Sequence, residues 1–511
     1  MDKSRHTSAL AAMLPLLMAT WVFPRPVLSA SPPNVVIMFA DDLGFGDLGC
    51  YGHPSSLTPN LDRLASLGLR FTDFYSSASV CSPSRAGLLT GRYATRSGVF
   101  PGVFYPGSVG GLPLNETTIA KMLKLQGYAT GMVGKWHLGL GANGTYLPTR
   151  HGFDEFLGVP YSHDQGPCQN LTCFPPDVPC YGRCDQHCVL LPLFEGERIL
   201  RQPVDFTTLV PDYIAWAEKF IHKQAADGKP FFLYYASHHT HYPQFSSKNF
   251  ARRSERGPFG DALMEFDHSV GMLLKALEQA GVEDNTLLLF TSDNGPELKR
   301  TNRGGNAGPL KCGKATTYEG GLRVPAIAYW PGKITPGVTH ELASTLDLLP
   351  TIAAVTGAKL PPVPLDGYNI GPLLFNGAKS PRKLMFYFTT SPTSDQGVFA
   401  VRHNYYKAHY FTQGAGASAL TPDHDCGIAA ECKKHSPPLL FHLGWDVSER
   451  VELNSSLPDL KPVAEDIDRL RNEFQLDMTW GPSQMDRGID PKLEPCCNPQ
   501  CSPKPTCCRC V

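Results

Sequence analysis

The sequence predicts an α/β fold, in which a large, mostly parallel β-sheet flanked by helices is followed by a smaller α+β domain containing an antiparallel sheet. Three observations lead to this prediction. Continuous apolar runs such as "NVVIMFADD" (34–42) end in polar residues, which is typical of strands buried on both faces of a parallel sheet. Segments with helical periodicity lie between these runs. After about residue 365, apolar and polar residues alternate as in antiparallel strands.

The elements of the first part follow in chain order. "NVVIMFADD" predicts a central strand, and "PFFLYYASHH" (230–239) and "NTLLLFTSDNG" (285–295) predict two more of the same design. "TPNLDRLASLG" (58–68) predicts a helix that Thr58 caps and Gly68 ends, and residues 260–281 predict a longer helix. Ligands of such sheets bind beyond the carboxyl ends of the strands, so the polar residues there are the candidates for a site.

The second part has a different pattern. "LMFYF" (384–388), "GVFAVRHNYYKAHYF" (397–411) and "LLFHL" (439–443) predict antiparallel strands, and residues 463–478 predict one long helix after them. We therefore divide the chain into a signal peptide at 1–30, an α/β domain at 31–365 that contains the candidate site, and a C-terminal α+β domain with a cysteine-rich tail at 366–511.

The start of the chain has the pattern of a signal peptide. Lys3 and Arg5 precede an apolar centre, and small residues near Ser29 and Ala30 offer a cleavage site. A membrane anchor is the alternative, but the apolar run is short and interrupted by proline. No later stretch is long and apolar enough to span a bilayer, so we expect no transmembrane segment. Because the net charge is −1, no overall field would recruit nucleic acid, and we expect no such partner.

The cysteines and sequons agree with the secretory pathway. Sixteen cysteines indicate an oxidising compartment, and their irregular spacing favours disulfides over the alternative, zinc. Four Asn-x-Ser/Thr triplets are candidate glycosylation sites, namely Asn115, Asn143, Asn170 and Asn454.

Two of the predicted central strands end in residue types that bind metal ions. Asp41 and Asp42 follow one strand, and Asp293 and Asn294 follow another. Hard oxygen ligands of this kind suit Ca²⁺ or Mg²⁺ better than zinc. Alternatively, the aspartates only cap a helix and "SDNG" only makes a turn. Because both pairs end strands of one predicted sheet, the metal site is the favoured interpretation.

Basic side chains occur at comparable places. Strand alternation in "GMVGKWHLG" (131–139) would place Lys135 and His137 on one face, and in "SHHTHYP" (237–243) it would pair His239 with His241. Lys314 lies in the glycine-rich segment "KCGKATTYEGG" (311–321). A His-x-His pair could instead bind zinc, and single lysines are usually solvated. If these residues converge beside the cation, they would bind an anionic oxyester.

The segment "VCSPSRAGLLTG" (80–91) places a cysteine at a predicted helix start. Pro83 suits the first helical position and Ser82 suits the cap, so Cys81 would lie where free N–H groups and Arg85 lower a thiol pKa. A cysteine hydrolase is one interpretation of this thiol, and a disulfide is the other. Neither explains why Arg85 and a Leu-Leu-Thr-Gly helix end accompany it.

This segment resembles the signature of the sulfatases, Cys-x-Pro-Ser-Arg followed by Leu-Leu-Thr-Gly, and the likeness extends from about residue 34 to the tail. The resemblance implies the mixed, mostly parallel sheet of the alkaline-phosphatase-like sulfatase fold. It also implies that Cys81 is oxidised to formylglycine, whose hydrate has one hydroxyl to attack sulfur and a second that lets sulfate leave. Two places depart from the family pattern, Ser82 in place of threonine and Leu322-Arg323-Val324 in place of a Val-Arg-Glu run.

The resemblance further implies a role for each site residue. The cation, Ca²⁺ with Mg²⁺ as the alternative, would be bound by Asp41, Asp42, Asp293, Asn294 and the modified Cys81. Arg85 and Lys135 would stabilise the ionised nucleophile, and His137 would act as a base. His241 and Lys314 would hold the sulfate, and either His241 or Lys314 would protonate the leaving oxygen. Ser162 would add a hydrogen bond. An acidic compartment would keep the histidines charged.

The resemblance also implies disulfide bonds. These are Cys168–Cys184, Cys173–Cys180, Cys312–Cys426 and three bridges among the tail cysteines Cys496, Cys497, Cys501, Cys507, Cys508 and Cys510. Cys50, Cys188 and Cys432 would remain. With Cys81 modified, fifteen cysteines are left, so at least one stays unpaired.

We therefore expect a lysosomal arylsulfatase that hydrolyses sulfate monoesters, above all the 3-sulfate of galactosyl sphingolipids such as cerebroside sulfate. The partners that the resemblance implies are a lipid-presenting activator protein, the formylglycine-generating enzyme during biosynthesis, and further copies of the chain in a homo-oligomer. The alternatives are a sulfatase for glycosaminoglycan or steroid sulfates, a phosphatase of the wider superfamily, and a secreted glycoprotein that binds without catalysis.

Overall fold

Two β-sheets and the helices packed on them form the framework of the fold, and two further short strands pair separately. The structure is a computed structural model and describes residues 1, 31–165, 190–427, 431–502 and 504–511. The strands of these ranges are β1 Asn34–Ala40, β2 Leu69–Phe71, β3 Phe74–Tyr75, β4 Ala129–Lys135, β5 Glu155–Val159, β6 Leu193–Glu195, β7 Arg198–Arg201, β8 Phe231–Ala236, β9 Thr286–Ser292, β10 Ala326–Tyr329, β11 Gly337–Thr339, β12 Ala343–Ser344, β13 Leu384–Tyr387, β14 Ala400–His403, β15 Tyr406–Thr412, β16 Lys433–His442 and β17 Arg509–Cys510.

The helices lie mainly between the strands of the first part. They are α1 Pro59–Leu67, α2 Cys81–Thr90, α3 Ala94–Ser97, α4 Ile119–Leu125, α5 Leu209–Ala226, α6 Pro258–Gln279, α7 Glu319–Leu322, α8 Leu348–Thr356, α9 Gly371–Asn376 and α10 Lys461–Asp477. Thr58 and Gly68 flank α1 as predicted, although the Thr58 hydroxyl donates to Asp62 Oδ1 rather than accepting from a helix N–H. None of the described helices is both long and apolar enough to cross a membrane.

The main sheet is mixed, with a parallel centre. Its strand order is β11-β2-β10-β9-β1-β8-β4-β5-β6-β7-β17. The five strands from β9 to β5 run parallel to one another, whereas β10 and β6 pair antiparallel with their inner neighbours. Phe39 of β1 pairs with Ala236 of β8 on one side and with Thr291 of β9 on the other. The carboxyl ends of these strands therefore meet at one edge of the sheet.

The side chains of β1 alternate between two apolar cores. Val35, Ile37 and Phe39 pack in the core that contains α2, α4 and α8. Val36 and Met38 pack in the opposite core, with α1, α5 and α6. Every residue of the strand is buried, and complete burial of each such side chain stabilises the fold by about 1.5–3 kcal/mol. An uninterrupted apolar run is the expected consequence of two covered faces.

The second sheet is antiparallel, with the order β13-β14-β15-β16. Helix α10 covers it, and Ile467 of that helix packs with Phe386, Val401 and Leu440. The predicted fold class is therefore confirmed. One feature was not predicted, because the last strand, β17, returns to the main sheet and pairs parallel with β7. Residues Pro32–Val511 form one compact unit, and the domain boundary after residue 365 stays a prediction.

Four disulfides lie within the described residues. Cys312 is bonded to Cys426, and the tail contains Cys496–Cys501, Cys497–Cys510 and Cys507–Cys508. The unpaired cysteines of these ranges are Cys50, Cys81 and Cys432. The predictions for Cys168, Cys173, Cys180, Cys184, Cys188, Asn170 and the signal peptide at 1–30 fall on positions outside the described residues, apart from Met1. Asn115, Asn143 and Asn454 are exposed, as glycan attachment requires.

Candidate active site

The carboxyl edge of the parallel strands gathers most of the predicted site residues. Asp41 and Asp42 follow β1, and Asp293 and Asn294 follow β9. Lys135 is the last residue of β4, and His241 lies in the segment after β8. Gly134 has φ +107°, and a Cβ there would lie 2.0 Å from the Ala236 carbonyl oxygen. The glycine therefore lets β4 approach β8 directly before Lys135.

The acidic residues form one connected group. The Asp42 N–H donates to Asp293 Oδ1 over 3.0 Å, and Asn294 Nδ2 donates to Asp42 Oδ1 over 2.7 Å. Asn294 Oδ1 is buried and has no hydrogen-bond partner among the described residues. Ligand atoms of Asp41, Asp42, Cys81 and His241 lie within 4.8 Å of one another. An unpartnered amide oxygen beside three carboxylates fits a hard divalent cation such as Ca²⁺ or Mg²⁺.

Three cations balance these three carboxylates. Lys135 Nζ lies 2.7 Å from Asp41 Oδ2, and Lys314 Nζ lies 2.7 Å from Asp42 Oδ2. The third cation belongs to helix α2, where Arg85 Nη2 lies 2.8 Å from Asp293 Oδ2 and 3.2 Å from Asp41 Oδ1. A bound divalent cation would leave this group with a net positive charge, which suits an anionic ligand.

The pKa values of the carboxyl groups reflect this pairing. Burial would raise the pKa of Asp41, but Lys135 and Arg85 outweigh burial and hold it well below its usual value. The same pairing raises the pKa of Lys135, although burial opposes this shift. Lys135 therefore stays charged although it is completely buried. For Asp293, burial and the neighbouring Asp41 carboxylate outweigh the nearby cations and raise the pKa.

Cys81 is the first residue of α2, with Val80 in the N-cap position. The prediction that Ser82 caps the helix and Pro83 begins it is wrong by two residues. The Ser82 hydroxyl instead donates to the His137 carbonyl oxygen over 2.7 Å and accepts from the Phe104 N–H over 3.2 Å. This hydroxyl therefore connects helix α2 with the loops that carry His137 and Phe104.

The expected activation of the Cys81 thiol is also wrong. Burial raises the pKa of Cys81 well above its usual value, and the carboxylates of Asp293 and Asp41 raise it further against the opposing effect of Lys135. Arg85 is occupied by Asp293 and Asp41, and Cys81 Sγ lies 3.6 Å from Asp41 Oδ1. The thiol is therefore protonated at neutral pH, which disfavours a cysteine hydrolase.

His137 lies beyond the end of β4, so the predicted strand alternation does not place it. Its φ is +58°, which turns the backbone out of the strand direction. The ring donates from Nε2 to the Phe104 carbonyl oxygen over 3.0 Å, because a carbonyl can only accept. Nδ1 is buried without a partner in the part of the chain that the structure describes, and it keeps its lone pair. Burial and the nearby Lys135 lower the pKa of His137, so the ring can act as a neutral base.

His241 and Lys314 contact each other beside Asp42. The His241 ring donates from Nδ1 to the Tyr242 carbonyl oxygen over 2.6 Å, so its Nε2 accepts from Lys314 Nζ over 3.2 Å. Burial and the Lys314 charge lower the pKa of His241 well below its usual value. The expectation of a charged histidine is therefore wrong for His137 and His241. In this pair, Lys314 holds the proton.

His239 does not join His241, Lys314 and Asp42, contrary to the predicted pairing of His239 with His241. Strand β8 ends at Ala236, so alternation does not continue through the following histidines. The His239 ring is hydrogen-bonded to the Ser237 hydroxyl over 2.9 Å and stacks on Phe245.

Ser162 follows β5 and is buried, and its backbone N–H donates to Gln165 Oε1 over 3.3 Å.

Sequence reasoning did not find several residues that support the site. The Phe104 carbonyl oxygen, which orients His137, also accepts from Gln165 Nε2 over 2.8 Å. The Thr240 hydroxyl donates to the Asp41 carbonyl oxygen over 2.5 Å. His163 Nδ1 lies 3.1 Å from His238 Nδ1. Thr240 and His238 belong to the segment "SHHTHYP" (237–243), so the sequence pointed to their neighbourhood. Phe104 contributes only its backbone carbonyl oxygen, and its side-chain type therefore gives no sequence signal for this role.

Comparisons with known proteins cover nearly the whole chain. The family model described as Sulfatase matches residues 33–358, and the one described as the C-terminal region of aryl-sulfatase matches residues 380–510. The chain is 55% identical over 485 residues to arylsulfatase A of Homo sapiens, covering 94% of this chain and 96% of that protein. It is 39% identical over 494 residues to arylsulfatase G of Rattus norvegicus, covering 92% of each. A solved sulfatase of Pseudoalteromonas sp. superposes with a TM-score of 0.74 at 29% identity, covering 88% of this chain and 92% of that one.

Proposed function

This chain belongs to the sulfatase family and hydrolyses sulfate esters, and from that premise we propose that its substrate is the 3-sulfate of a galactosyl sphingolipid such as cerebroside sulfate. The identity of 55% to arylsulfatase A supports an enzyme of that kind. The observation that carries the chemistry is the convergence of Cys81, three aspartates and three cations at one buried strand edge.

Cys81 provides the position of the nucleophile. Members of this family carry formylglycine at the cysteine of this motif, and we propose that Cys81 is converted in the same way by the formylglycine-generating enzyme. Formylglycine supplies a hydrated aldehyde, which can attack sulfur and afterwards release sulfate without a second nucleophile. The raised pKa of the unmodified thiol supports this proposal, because the cysteine itself would be a poor nucleophile.

The metal site fits an all-oxygen set of ligands. We propose that Asp41, Asp42, Asp293 and Asn294, together with modified residue 81, hold Ca²⁺, with Mg²⁺ as the alternative. The ion would lower the pKa of the nucleophile and polarise the sulfate group. Asp41 and Asp293 also keep Lys135 and Arg85 charged in a buried site, where both can stabilise the negative charge of the reacting groups.

Two residues move protons in this proposal. His137 would accept the proton of the second hydroxyl of hydrated residue 81, which lets sulfate leave. It would accept this proton at Nδ1, because its Nε2–H is already bonded to the Phe104 carbonyl oxygen. Lys314 holds a sulfate oxygen and donates a proton to the leaving alkoxide, since His241 Nε2 is an acceptor toward it. His241 orients the Lys314 ammonium group by accepting its hydrogen bond at Nε2, and the Ser162 hydroxyl adds a hydrogen bond to the substrate.

The cellular setting is part of the same proposal. We place the protein in the lysosome, reached through the endoplasmic reticulum, with a lipid-presenting activator protein that delivers the sphingolipid and a homo-oligomer as the working form. The exposed sequons Asn115, Asn143 and Asn454 support passage through the secretory pathway. The likeness to arylsulfatase A over almost the full length of both chains supports the assignment to that compartment.

The test measures both the substrate and the nucleophile. Purified protein is offered cerebroside sulfate with a detergent, a panel of sulfated glycosaminoglycan fragments, and steroid sulfates. We expect the largest kcat/KM for cerebroside sulfate, and a larger value for another class would overturn the assigned substrate. Mass spectrometry of the peptide holding residue 81 should show an aldehyde in place of the thiol. Cys81→Ser should lose turnover of an aryl sulfate, and normal turnover by this variant would remove the assigned nucleophile.

A further inference from the structure

We propose that Ser418 is a positioning residue for Lys314, so that the segment between β15 and β16 holds the sulfate-binding lysine in place. The inference rests on the proposed function, which assigns Lys314 to the sulfate. Ser418 follows β15 and lies 104 residues from Lys314 along the chain. The Ser418 hydroxyl makes two hydrogen bonds, and both are made to the backbone of the loop that carries Lys314.

The Lys314 loop has a strained backbone. Cys312 has φ +59° and Ala315 has φ +71°, and neither is a glycine. Residues with side chains adopt this left-handed region at a cost of about 1–2 kcal/mol each. Such conformations persist only where the surrounding structure imposes them. The position of Lys314 therefore depends on contacts from outside its own segment.

Ser418 makes two of those contacts through one hydroxyl group. Its Oγ donates to the Lys314 carbonyl oxygen over 2.9 Å and accepts from the Gly313 N–H over 3.0 Å. The side chain is completely buried, so water cannot replace either bond. The hydroxyl thus links the peptide group that precedes Gly313 with the peptide group that follows Lys314.

The segment that carries Ser418 is itself attached to the same loop. The Ser418 N–H donates to the Ala415 carbonyl oxygen, and the Ala415 N–H donates to the Cys426 carbonyl oxygen over 3.0 Å. Cys426 is disulfide-bonded to Cys312, two residues before Lys314. A closed path therefore runs from Cys312 through Cys426 and Ser418 back to Gly313. This path explains how residues outside the main sheet can restrain a residue of the site.

The other contacts of Lys314 show what this restraint achieves. Its backbone N–H donates to the Pro296 carbonyl oxygen over 2.9 Å, while Nζ reaches Asp42 and His241. A lysine side chain has four rotatable bonds, so a shift of the backbone would spread the positions of Nζ. A displacement of about 1 Å at such a group can reduce the rate by about a hundredfold.

The test is a double-mutant cycle on the full-length, formylglycine-containing enzyme. Ser418→Ala, Lys314→Ala and the double variant are compared with the parent for KM, for kcat, and for competitive inhibition by inorganic sulfate. We expect Ser418→Ala to raise KM and the inhibition constant of sulfate by about tenfold. In the Lys314→Ala background the same change should have almost no further effect, because Ser418 acts through Lys314.

Ser448→Ala serves as the matched control. Its hydroxyl donates to the Pro309 carbonyl oxygen of the same region over 2.6 Å, but not beside Lys314, so sulfate inhibition should match the parent. If Ser418→Ala is not secreted, Ser418→Cys keeps a similar volume with a weaker donor and should show a smaller rise in the same constant. An unchanged inhibition constant, or an effect of Ser418→Ala that adds fully to that of Lys314→Ala, overturns the proposal. A parent enzyme that contains formylglycine but does not hydrolyse aryl sulfates would overturn the proposed function itself and this assignment with it.

Discussion

Lys135 and Asp41 form an ion pair of 2.7 Å in which both side chains are completely buried. Removing two charges from water costs several kcal/mol per ion, so such a pair is weak evidence for a gain in stability. Arg85 adds a second cation to the same carboxylate at 3.2 Å. The arrangement is better explained by function, since it keeps cations in a dry site where they act strongly on a negatively charged reacting group.

Lys135→Ala should therefore reduce activity more than stability. We expect kcat/KM for an aryl sulfate to fall by about a hundredfold or more, which corresponds to about 3 kcal/mol of transition-state stabilisation. Arg85 would still compensate Asp41, so unfolding by denaturant should show only a moderate loss of stability. The control is Lys124→Ala, which breaks a pair with Asp154 of the same 2.7 Å length that is half exposed. That control should change stability by about 1 kcal/mol or less and leave kcat/KM unaltered. Equal activity losses in both variants would contradict the prediction.

Removal of the divalent cation should abolish turnover, and Asn294 should report on its binding. Within the described residues Asn294 Oδ1 is buried without a hydrogen-bond partner, so Asn294→Ala would remove a proposed ligand atom without breaking a hydrogen bond to that oxygen. We expect the Ca²⁺ concentration that half-restores activity after chelation to rise by about tenfold or more. Thermal unfolding with and without Ca²⁺ gives a second measurement that does not depend on turnover. Asn369→Ala, an exposed position whose Oδ1 accepts from the Gly371 N–H, should behave like the parent. Activity that survives chelation would remove the metal from the proposed mechanism.

His151 should make the fold less stable in acid. Burial lowers its pKa to about 3, and both ring nitrogens are buried without hydrogen-bond partners in the described ranges. Because the unfolded chain takes up this proton at about pH 6.5 and the folded chain does not, stability falls as the pH drops from about 6.5 toward 3. At about pH 4.5 this group alone should lower the free energy of unfolding by about 3 kcal/mol relative to about pH 7.5.

His151→Phe should remove that pH dependence, since phenylalanine keeps a ring beside Trp136 but does not titrate. The measurement is the free energy of unfolding of variant and parent at both pH values. The stability difference between variant and parent should shift in favour of the variant by about 3 kcal/mol in acid. His222→Phe changes an exposed histidine of α5 and should show little of this shift. A variant with the same pH profile as the parent would show that His151 does not carry the effect.

Lys407 should be essential for the contact between the antiparallel sheet and α7. Its Nζ lies 2.9 Å from Glu319 Oε1 and 3.1 Å from Glu449 Oε1, and all three side chains are completely buried. Lys407→Met would leave two carboxylates in the interior with less compensation, and we expect a loss of about 3–5 kcal/mol of unfolding free energy. Arg469→Met breaks an exposed pair with Glu473 on α10 and should cost less than about 1 kcal/mol. Similar losses in both variants, measured by denaturant unfolding, would contradict this reading of the buried group.

Local pattern predicted the sheet, its helices and much of the site. The meeting of Asp41 and Asp42 with Asp293 and Asn294 followed from two apolar runs, because parallel strands end at one edge. Two of the errors fall where a strand stops. Alternation was extended through His137 and His239, but β4 ends at Lys135 and β8 ends at Ala236. The chain turns at these ends, so a period of two residues no longer applies.

The amino-acid order alone was enough to indicate the family, the buried strands and the cysteine of the sulfatase motif, since each of these depends on a short contiguous segment. Folding alone decided that His137 and His241 are neutral, that the Cys81 thiol stays protonated, and that Ser418 contacts the backbone of Lys314. The physical reason is that protonation and loop position depend on burial and on partners far apart in the chain, and such distances exist only in the folded molecule.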